Sequence, residues 1–591
     1  MKNKESTKQI IIRGLATAPG IAVGPAYIFK PFAINMAELD TVAASAKAEC
    51  EHFKEARSKV LDQLNFASKQ SFESYGDEFS EIFNSQIAFL NDTLLLEEIR
   101  TKIYESNQSA AYAVTTVLSQ KSNHFINLEN RYFRERAFDI IDLKQKLILA
   151  LFGIKIDYQL TTPSIIISEN LSPTDTVNFN RNLILGFLTD QGGQTSHSAI
   201  LARGLKIPSV VNGKNLSKVI RNGDEIILDG FKGTIIINPE SETRGKYLEL
   251  KEKHNQQQAI LVADNTKKAI TKDNVEISLL ANIELPHEVT EVSEFNAQGV
   301  GLYRTEALFM ENNSTPSEDE QFKAYKKIVK SLGSDLFVIR TIDLGGDKLI
   351  EGLTTKSELN PFLGWRAIRF CLDNPQIFKP QLRAILRASA YGNIRILLPM
   401  VSSISEILQV KELINEARHE LQTSGYKISP NVDLGVMIET PSAAIMASTV
   451  GKYVDFLSIG SNDLTQYTLA VDRTNSKVAH SYSSFDPAVI RLMQMATIAG
   501  IENNIPVSIC GEFASVPSAV PVLLGMGLRS LSVTPHFIPR IKKIIRSVHI
   551  NSCIKLYDKI QTLHLASEIE EVCNDFIQTN VPELSFSKED I

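Results

Sequence analysis

The sequence contains few cysteines and no long apolar stretch. Its five cysteines among 591 residues are odd in number and widely scattered, which excludes a disulfide framework and a CxxC zinc site. No apolar run approaches the roughly 18 residues that a membrane-spanning helix needs. Residues 1–14 lack the apolar stretch and the cleavage pattern of a signal peptide. We therefore expect a protein of the reducing cytoplasm without membrane insertion.

A strong charge of either sign is also absent. Lysine and arginine total 62, aspartate and glutamate total 68, and the formal net charge is -6. Nucleic-acid binding needs concentrated positive charge, so we expect no nucleic-acid partner. Hydrophobic residues make up 43% of the chain and charged residues 22%, which is typical of globular proteins.

Helix-breaking residues are rare between Pro31 and Pro163. No proline lies between these two, and the only glycines are Gly76 and Gly153. Apolar residues recur at helical spacing among leucine, alanine, glutamate and lysine, which predicts a block of several helices. Breaks between these helices are expected at two places, Asn91-Asp92 and Ser106-Asn107.

Strand patterns lie on both sides of the helical block. Short β-branched runs precede it and resume at residues 164–168, which predicts a β/α domain with an inserted helical subdomain. From residue 275 onward, eight short apolar runs alternate with helical stretches, which is typical of parallel βαβ units. Eight units over about 250 residues predict a closed (β/α)8 barrel of the TIM type, and a doubly wound open sheet is the rival fold.

The predicted fold class is therefore multidomain α/β. The expected domains are the β/α domain (1–34 and 151–240), the helical subdomain (35–150), a helical linker (241–265), the barrel (266–575) and a tail (576–591).

Most of the eight apolar runs end in a polar or reactive residue. In a barrel these ends converge at one rim, where the active site lies. The residues in question are Glu284, Arg304, Arg340 with Asp343, Glu439, Asn462 with Asp463, and Cys510 with Glu512.

Four arginines lie at or just after the predicted barrel strands: Arg304, Arg340, Arg366 and Arg473. Arginine suits bidentate binding of phosphate and carboxylate, so their convergence predicts a small, multiply anionic substrate. The alternative is local pairing with acidic neighbours, such as Arg304 with Glu306.

Glu439 and Asp463 end neighbouring strands, which brings the two carboxylates close together. One or two carboxylates, completed by substrate oxygens and water, are typical of magnesium sites. The alternative is a carboxylate pair neutralised by nearby arginines. Cys510 ends the seventh run, where a cysteine can be a proton donor, a nucleophile or a buried structural residue.

A histidine motif lies in the β/α domain, in DQGGQTSHSAILARG. Paired glycines permit a tight turn, and Thr195 or Ser196 can cap the helix that follows. His197 then lies at or near a helix N-terminus, where the dipole keeps the imidazole neutral and backbone amides can hold a phosphate. The alternative is a histidine that only caps the helix or fills a packing gap.

The motifs GGxTSHxAIxAR, RTxDxGGDK, NPFLGWRAIR, IETP, GSNDLTQYTLAVDR and CGE resemble enzyme I of the bacterial phosphotransferase system over nearly the whole chain. The resemblance implies that phosphoenolpyruvate binds in the barrel mouth, with Mg²⁺ held by Glu439 and Asp463. It implies substrate contacts from Arg304, Arg340, Arg366, Asn462, Asp463 and Arg473.

The same resemblance implies that His197 takes the phosphoryl group and that Cys510 protonates the enolate, which releases pyruvate. The helical subdomain would bind the phosphocarrier protein HPr and receive His197 by a swivel of the β/α domain. HPr would then take the phosphoryl group on a histidine, as the first step of sugar uptake or of a regulatory branch. The barrel would form a homodimer.

One residue departs from the family pattern. Gln194 stands directly before the Thr-Ser-His run, where members of the family usually have arginine. This leaves a second hypothesis, a regulatory binding protein with vestigial transfer. A third is a dikinase-like synthase fragment partnered by a separate ATP-binding chain, against which the inserted helical block argues.

Overall fold

The structure, a computed structural model, contains two compact units, formed by Met1–Gln256 and Gln257–Ser585. No described helix is long and apolar enough to cross a membrane. The described residues are 9–29, 45–75, 77–106, 108–126, 131–154, 158, 160–169, 171, 175, 179–191, 199, 202, 207–213, 216–310, 315–345, 360–473, 475 and 477–584.

The first unit contains the predicted helical block. Helices end at Asn91 and at Ser106, so both predicted breaks are confirmed. Side chains spaced at helical intervals, among them Val60, Leu64 and Leu118, are buried in one apolar cluster. The helices of the described part of the block are α1 (Ala46–Tyr75), α2 (Asp77–Asn91), α3 (Thr93–Ser106), α4 (Ala110–Ile126) and α5 (Arg131–Phe152).

This unit also contains a mixed sheet, in the order β1-β8-β7-β3-β4-β5-β6-β2 among the described strands. The strands from β3 to β6 pair in parallel, and β1, β8 and β7 pair antiparallel at one edge. The strands are β1 (Ile10–Arg13), β2 (Leu15–Ala18), β3 (Ile21–Ile28), β4 (Ser164–Ser168), β5 (Ile184–Thr189), β6 (Ser209–Val211), β7 (Glu225–Asp229) and β8 (Thr234–Ile237), and a short helix, α6, is Leu216–Val219.

A long helix, α7 (Ser241–Asp264), spans the segment predicted as a helical linker. The division between the two units falls inside it, after Gln256.

The second unit is a closed barrel of parallel strands, in which β16 pairs with β9. The predicted TIM-type barrel is confirmed, and the rival open sheet is excluded for this part of the chain. Its described strands are β9 (Ser278–Ile283), β10 (Gly299–Arg304), β11 (Leu336–Arg340), β12 (Ile394–Leu398), β13 (Asp433–Ile438), β14 (Phe456–Ile459), β15 (Val507–Ile509) and β16 (Ser530–Val533).

Helices surround these strands and bury their outer faces in the largest apolar cluster of the described residues. Capping boxes fix where two of them begin, since Ser317 pairs with Glu320 and Ser403 with Glu406. The described helices are α8 (Val289–Glu294), α9 (Glu306–Met310), α10 (Glu318–Leu332), α11 (Ile368–Asp373), α12 (Pro375–Ala388), α13 (Ile404–Thr423), α14 (Pro441–Ile445), α15 (Ala447–Val450), α16 (Ser461–Leu469), α17 (Pro487–Asn503), α18 (Val520–Met526), α19 (Ile538–Ser547), α20 (Ile550–Ile560) and α21 (Ala566–Asn580).

A separate apolar cluster fills the inside of the barrel, because alternate residues of each strand point inward. It leaves the polar residues at the strand ends to form the rim. The cluster consists of Leu302, Val338, Leu397, Met437, Phe456 and Cys510.

Helix α18 packs closely against α20 because Gly525 has no side chain. A Cβ at Gly525 would lie 2.2 Å from the carbonyl oxygen of Cys553. We expect Gly525→Ala to lower the free energy of unfolding of the barrel by about 1–3 kcal/mol, since an extra carbon in a well-packed core destabilises it by such amounts. Thermal unfolding checks this.

The matched control is Gly245→Ala on α7, where a Cβ would meet nothing within 4 Å among the described residues. Alanine there should stabilise the helix by about 0.5–1 kcal/mol. Equal effects of the two substitutions would contradict the packing argument.

Candidate active site

The rim at the carboxyl ends of the barrel strands gathers the charged and polar side chains that the sequence predicts there. Each lies at a strand end or in the loop or short helix that follows. They are Glu284 after β9, Arg304 at the end of β10, Arg340 at the end of β11, Arg366 before α11, Glu439 after β13, Asn462 and Asp463 in α16, Arg473 after α16, and Cys510 after β15.

A chain of alternating charges forms the floor of this rim. Arg340 Nη2 donates to Glu306 Oε1 at 2.7 Å, and the backbone N–H of Asp343 donates to the same oxygen at 3.0 Å. Arg366 binds both oxygens of Asp343, through Nε at 3.1 Å and Nη2 at 2.8 Å. Its Nη1 lies 3.7 Å from Asp463 Oδ1. Positive and negative groups thus alternate across four elements.

These charges are removed from water. The side chains of Arg340 and Asp343 are 6% and 2% exposed. Burial alone would lower the pKa of Arg340, but attraction to Glu306, Asp343 and Glu439 outweighs it and raises the pKa. The arginine therefore keeps its charge, and the cluster is held together by mutual compensation.

Arg340 also offers a donor that its neighbours do not use. Its Nε is buried and has no hydrogen-bond partner among the described residues. A buried donor without a partner costs free energy, so it suits a ligand that supplies an acceptor. An anionic substrate at the rim would do so.

Glu439 is a rim carboxyl group whose charged form is disfavoured. The residue is 1% exposed, and its Oε1 accepts a hydrogen bond from the backbone N–H of Met400 at 2.6 Å. Burial, and then repulsion from Asp463, raises the pKa of Glu439 to about 8. Gly460 makes room for this carboxylate, because a Cβ there would lie 2.9 Å from its Oε2.

Two neighbouring carboxylates whose surroundings supply too little positive charge are suited to bind a divalent cation. Carboxylate oxygens are the hard ligands that Mg²⁺ prefers, with substrate oxygens and waters completing its shell. The described residues contain no group of three or more His, Cys, Asp or Glu side chains that could hold a metal. Glu439 and Asp463 offer two such oxygen ligands, which fits a metal whose remaining ligands are substrate oxygens and waters.

The outer wall of the rim is more polar and more open. Asn462 Nδ2 donates to Glu512 Oε1 at 2.9 Å, and the N–H of Glu512 donates back to Asn462 Oδ1 at 2.9 Å. Arg473 Nη1 lies 3.7 Å from the same Glu512 oxygen, with a side chain 44% exposed. At that exposure the guanidinium is accessible to an anion that arrives from solvent.

Arg304 pairs with an acidic neighbour, as the alternative expected, but that neighbour is Glu284 and not Glu306. Its Nη1 instead contacts Glu284 Oε1, while Glu306 is used by Arg340. The difference arises because the strand register brings the ends of β10 and β11 side by side. Arg304 is a partly exposed cation on the same wall as Arg340.

Cys510 lies inside the barrel just below the rim and is 2% exposed. Ser458 Oγ donates to its Sγ at 3.1 Å, and Ser508 Oγ donates to Ser458 Oγ at 3.1 Å. Burial raises the pKa of the Cys510 thiol to about 11. The thiol therefore carries its proton at neutral pH.

Sequence reasoning missed Gln381, which holds the loop after β11. Its Oε1 accepts from the N–H of Ile342 at 3.0 Å, and its Nε2 donates to Thr305 Oγ1 at 3.2 Å. Thr305 Oγ1 in turn donates to the carbonyl of Arg340 at 3.0 Å. The signal that could have found it is a glutamine on the apolar face of α12.

His197 and Gln194 lie outside the described residues, as does the GGDK loop beyond Gly345. The predicted nucleophile therefore stays a prediction from the sequence.

Comparison with known families covers most of the chain. Residues 13–136, 160–233 and 258–550 match the families described as PEP-utilising enzyme, N-terminal, PEP-utilising enzyme, mobile domain, and PEP-utilising enzyme, PEP-binding domain. The barrel, its charged rim and these matches define a phosphoenolpyruvate-utilising enzyme.

Individual relatives are more specific. The phosphoenolpyruvate-protein phosphotransferase of Haemophilus influenzae is 38% identical over 574 residues, covering 96% of this chain and 100% of the relative. That of Listeria monocytogenes is 35% identical over 568 residues, covering 96% and 99%. An NMR structure of an Enzyme I protein (nEIt) is 30% identical over 41% of this chain and 99% of that one, with a TM-score of 0.34.

The chain belongs to the family of phosphoenolpyruvate-protein phosphotransferases, and is thus an enzyme of the transferase class. The predicted membership of the enzyme I family is confirmed. These matches over nearly the full length of the relatives also disfavour the synthase-fragment hypothesis.

The buried pair of Asp343 and Arg366 should be essential for the stability of the rim. We expect Asp343→Ala to lower the free energy of unfolding by about 3–5 kcal/mol, because it leaves a buried guanidinium uncompensated. Denaturant unfolding measures the loss.

A half-exposed pair of the same barrel, Arg395 with Asp433 at 3.0 Å, provides the control. Asp433→Ala should cost no more than about 1 kcal/mol. If both substitutions cost the same, the alternating charges do not stabilise the rim as argued.

Proposed function

We propose that the enzyme transfers the phosphoryl group of phosphoenolpyruvate to its own His197 and then to a histidine of an HPr-type phosphocarrier protein, releasing pyruvate. The observation that carries the substrate assignment is the rim of cations and paired carboxylates at one end of the barrel. Phosphoryl transfer needs alignment and charge neutralisation more than covalent chemistry from the protein. This rim supplies both.

Arg304, Arg340 and Arg473 bind the phosphate and carboxylate of the substrate in this proposal. Arg340 brings the buried Nε donor, while Arg304 and Arg473 keep enough exposure to meet a ligand from solvent. Arg366 acts mainly through its bidentate pair with Asp343. The backbone near Asn462 adds a polar contact.

Glu439 and Asp463 would hold Mg²⁺ together with substrate oxygens. The support for this is the carboxylate pair and the raised pKa of Glu439, which burial and Asp463 cause. When bound, the ion neutralises negative charge on the phosphoryl group and on the enolate that departs. The arginines orient the phosphorus so that an imidazole can approach opposite the leaving oxygen.

Cys510 protonates the enolate carbon. The support is its position at the rim end of β15 and the raised pKa of its buried thiol, about 11, which leaves a proton to donate at neutral pH. Its S–H bond breaks as the C–H bond of pyruvate forms.

His197 divides a transfer between two partners into two steps. It serves the barrel first and the carrier protein second, so the β/α domain must move between them. The helical block α1–α5 is the proposed docking domain for HPr. We also propose a cytoplasmic homodimer that associates through the barrel. Cysteines that are all free and buried accord with a reducing compartment.

The direct test is incubation with ³²P-labelled phosphoenolpyruvate and Mg²⁺, followed by addition of HPr. An acid-labile phosphoprotein should form in the wild type and pass its label to HPr, and His197→Ala should stay unlabelled. Absence of labelling in the wild type, or labelling of His197→Ala, would refute the proposal.

Glu439→Gln tests the metal site in the same assay. We expect labelling to slow by about 10²-fold or more, since one charge that holds the cation is lost while the shape is kept. Glu412→Gln, on the exposed side of α13, is the matched control and should leave the rate unchanged. A normal rate in Glu439→Gln would remove Glu439 from the metal site.

A further inference from the structure

A row of hydroxyl groups leads away from Cys510 inside the barrel. Ser458 and Ser508 are register partners on the neighbouring strands β14 and β15. Ser508 lies two residues before Cys510, so both point to the same face of β15, and Ser458 lies two residues after the inward-pointing Phe456. The three side chains therefore share the inside of the barrel.

The hydrogen bonds of this row all run in one direction. Ser508 Oγ donates to Ser458 Oγ at 3.1 Å, and Ser458 Oγ donates to Cys510 Sγ at 3.1 Å. The thiol of Cys510 thus accepts a hydrogen bond from Ser458, and its own hydrogen takes no part in the hydrogen bonds between these three side chains. Among the described residues, the thiol hydrogen has one acceptor, the carbonyl of Ile459, at a long 3.7 Å.

The two ends of the row differ in their access to water. Ser458 is 1% exposed and Cys510 is buried, whereas part of the surface of Ser508 is accessible to a water molecule. Proteins avoid hydroxyls inside an apolar barrel unless they are hydrogen-bonded. Here the row joins a buried acid to a residue whose surface is partly open to water.

We propose that Ser508 and Ser458 form a proton relay that reprotonates Cys510 after each turnover. The inference rests on the proposed role of Cys510. Cys510 gives its proton to the enolate carbon and keeps the S–H electron pair as thiolate. Sulfur takes the hydroxyl proton of Ser458, Ser458 takes that of Ser508, and Ser508 takes one from solvent water or hydronium. One solvent proton enters per pyruvate, and rotation of the hydroxyls restores the original direction.

A relay of this kind is not needed for the first turnover but is needed for every later one. Resting Cys510 already carries a proton, so the first pyruvate needs no relay, whereas every later one does. A merely structural role of the serines would slow the first turnover as well. The separation of the first turnover from the later ones is therefore the readout that tests the relay.

The experiment uses the full-length enzyme with phosphoenolpyruvate, Mg²⁺ and HPr, and follows pyruvate by rapid quench and then in the steady state. Ser508→Thr and Ser508→Val are nearly isosteric and differ in the hydroxyl. We expect Ser508→Val and Ser458→Ala to give a burst of one pyruvate per active site at the wild-type rate. A steady state slower by at least about tenfold should follow, because the acid is no longer recharged. Ser508→Thr should show neither effect.

The relay is overturned if Ser508→Val and Ser508→Thr behave alike, or if the first turnover slows as much as the steady state. The variant Cys510→Ala separates a failure of the proposed role of Cys510 from a failure of the relay alone. If it forms pyruvate as fast as the wild type, the proposed role of Cys510 fails and the relay fails with it. If it is slow while the serine variants turn over normally, Cys510 remains the acid and only the relay is wrong.

Discussion

Burial of alternating charges at one end of the barrel is the constraint on which the site depends. Glu306, Arg340, Asp343 and Arg366 alternate in sign, so each charge compensates the lost hydration of its neighbours. They come from the start of α9, the end of β11 with the residues after it, and the segment before α11, which the barrel brings together. Gln381 adds the hydrogen bonds that hold the backbone of this region. The result is a buried wall of mutually compensated charges at the carboxyl ends of the strands.

The charge balance changes from the floor of the rim to its opening. At the floor, Arg340 and Arg366 are internally paired, whereas burial and repulsion from Asp463 raise the pKa of Glu439, so its charged form needs a further cation to stabilise it. At the opening, Arg304 and Arg473 are partly exposed. Such a gradient suits a small polyanion that arrives with a divalent cation, because each component supplies the charge that one part of the rim lacks. The thiol of Cys510 lies below this rim, inside the barrel.

The barrel could be predicted from the sequence because its signals are local. Each run alternates with a helix, and the end of each run marks a rim position, so Arg340, Glu439 and Cys510 were found from their places alone. The pairing of Glu306 with Arg340 rather than Arg304 depends on the register between β10 and β11, which no local pattern contains. Ser458 and Gln381 were missed because a serine in a strand or a glutamine in a helix shows its importance only once its neighbours are known. His197 was predicted from its motif, and because it lies outside the described residues its role stays a prediction.

The central proposal is that a metal bound by Glu439 and Asp463 and the phosphate of phosphoenolpyruvate meet at this rim. Paramagnetic ³¹P NMR with Mn²⁺ in place of Mg²⁺ measures that directly. The account predicts that the wild type strongly broadens the phosphoenolpyruvate signal. In the double variant Glu439→Gln with Asp463→Asn, this broadening should disappear and the signal should stay sharp. A sharp signal with the wild type, or broadening that persists in the double variant, would contradict it.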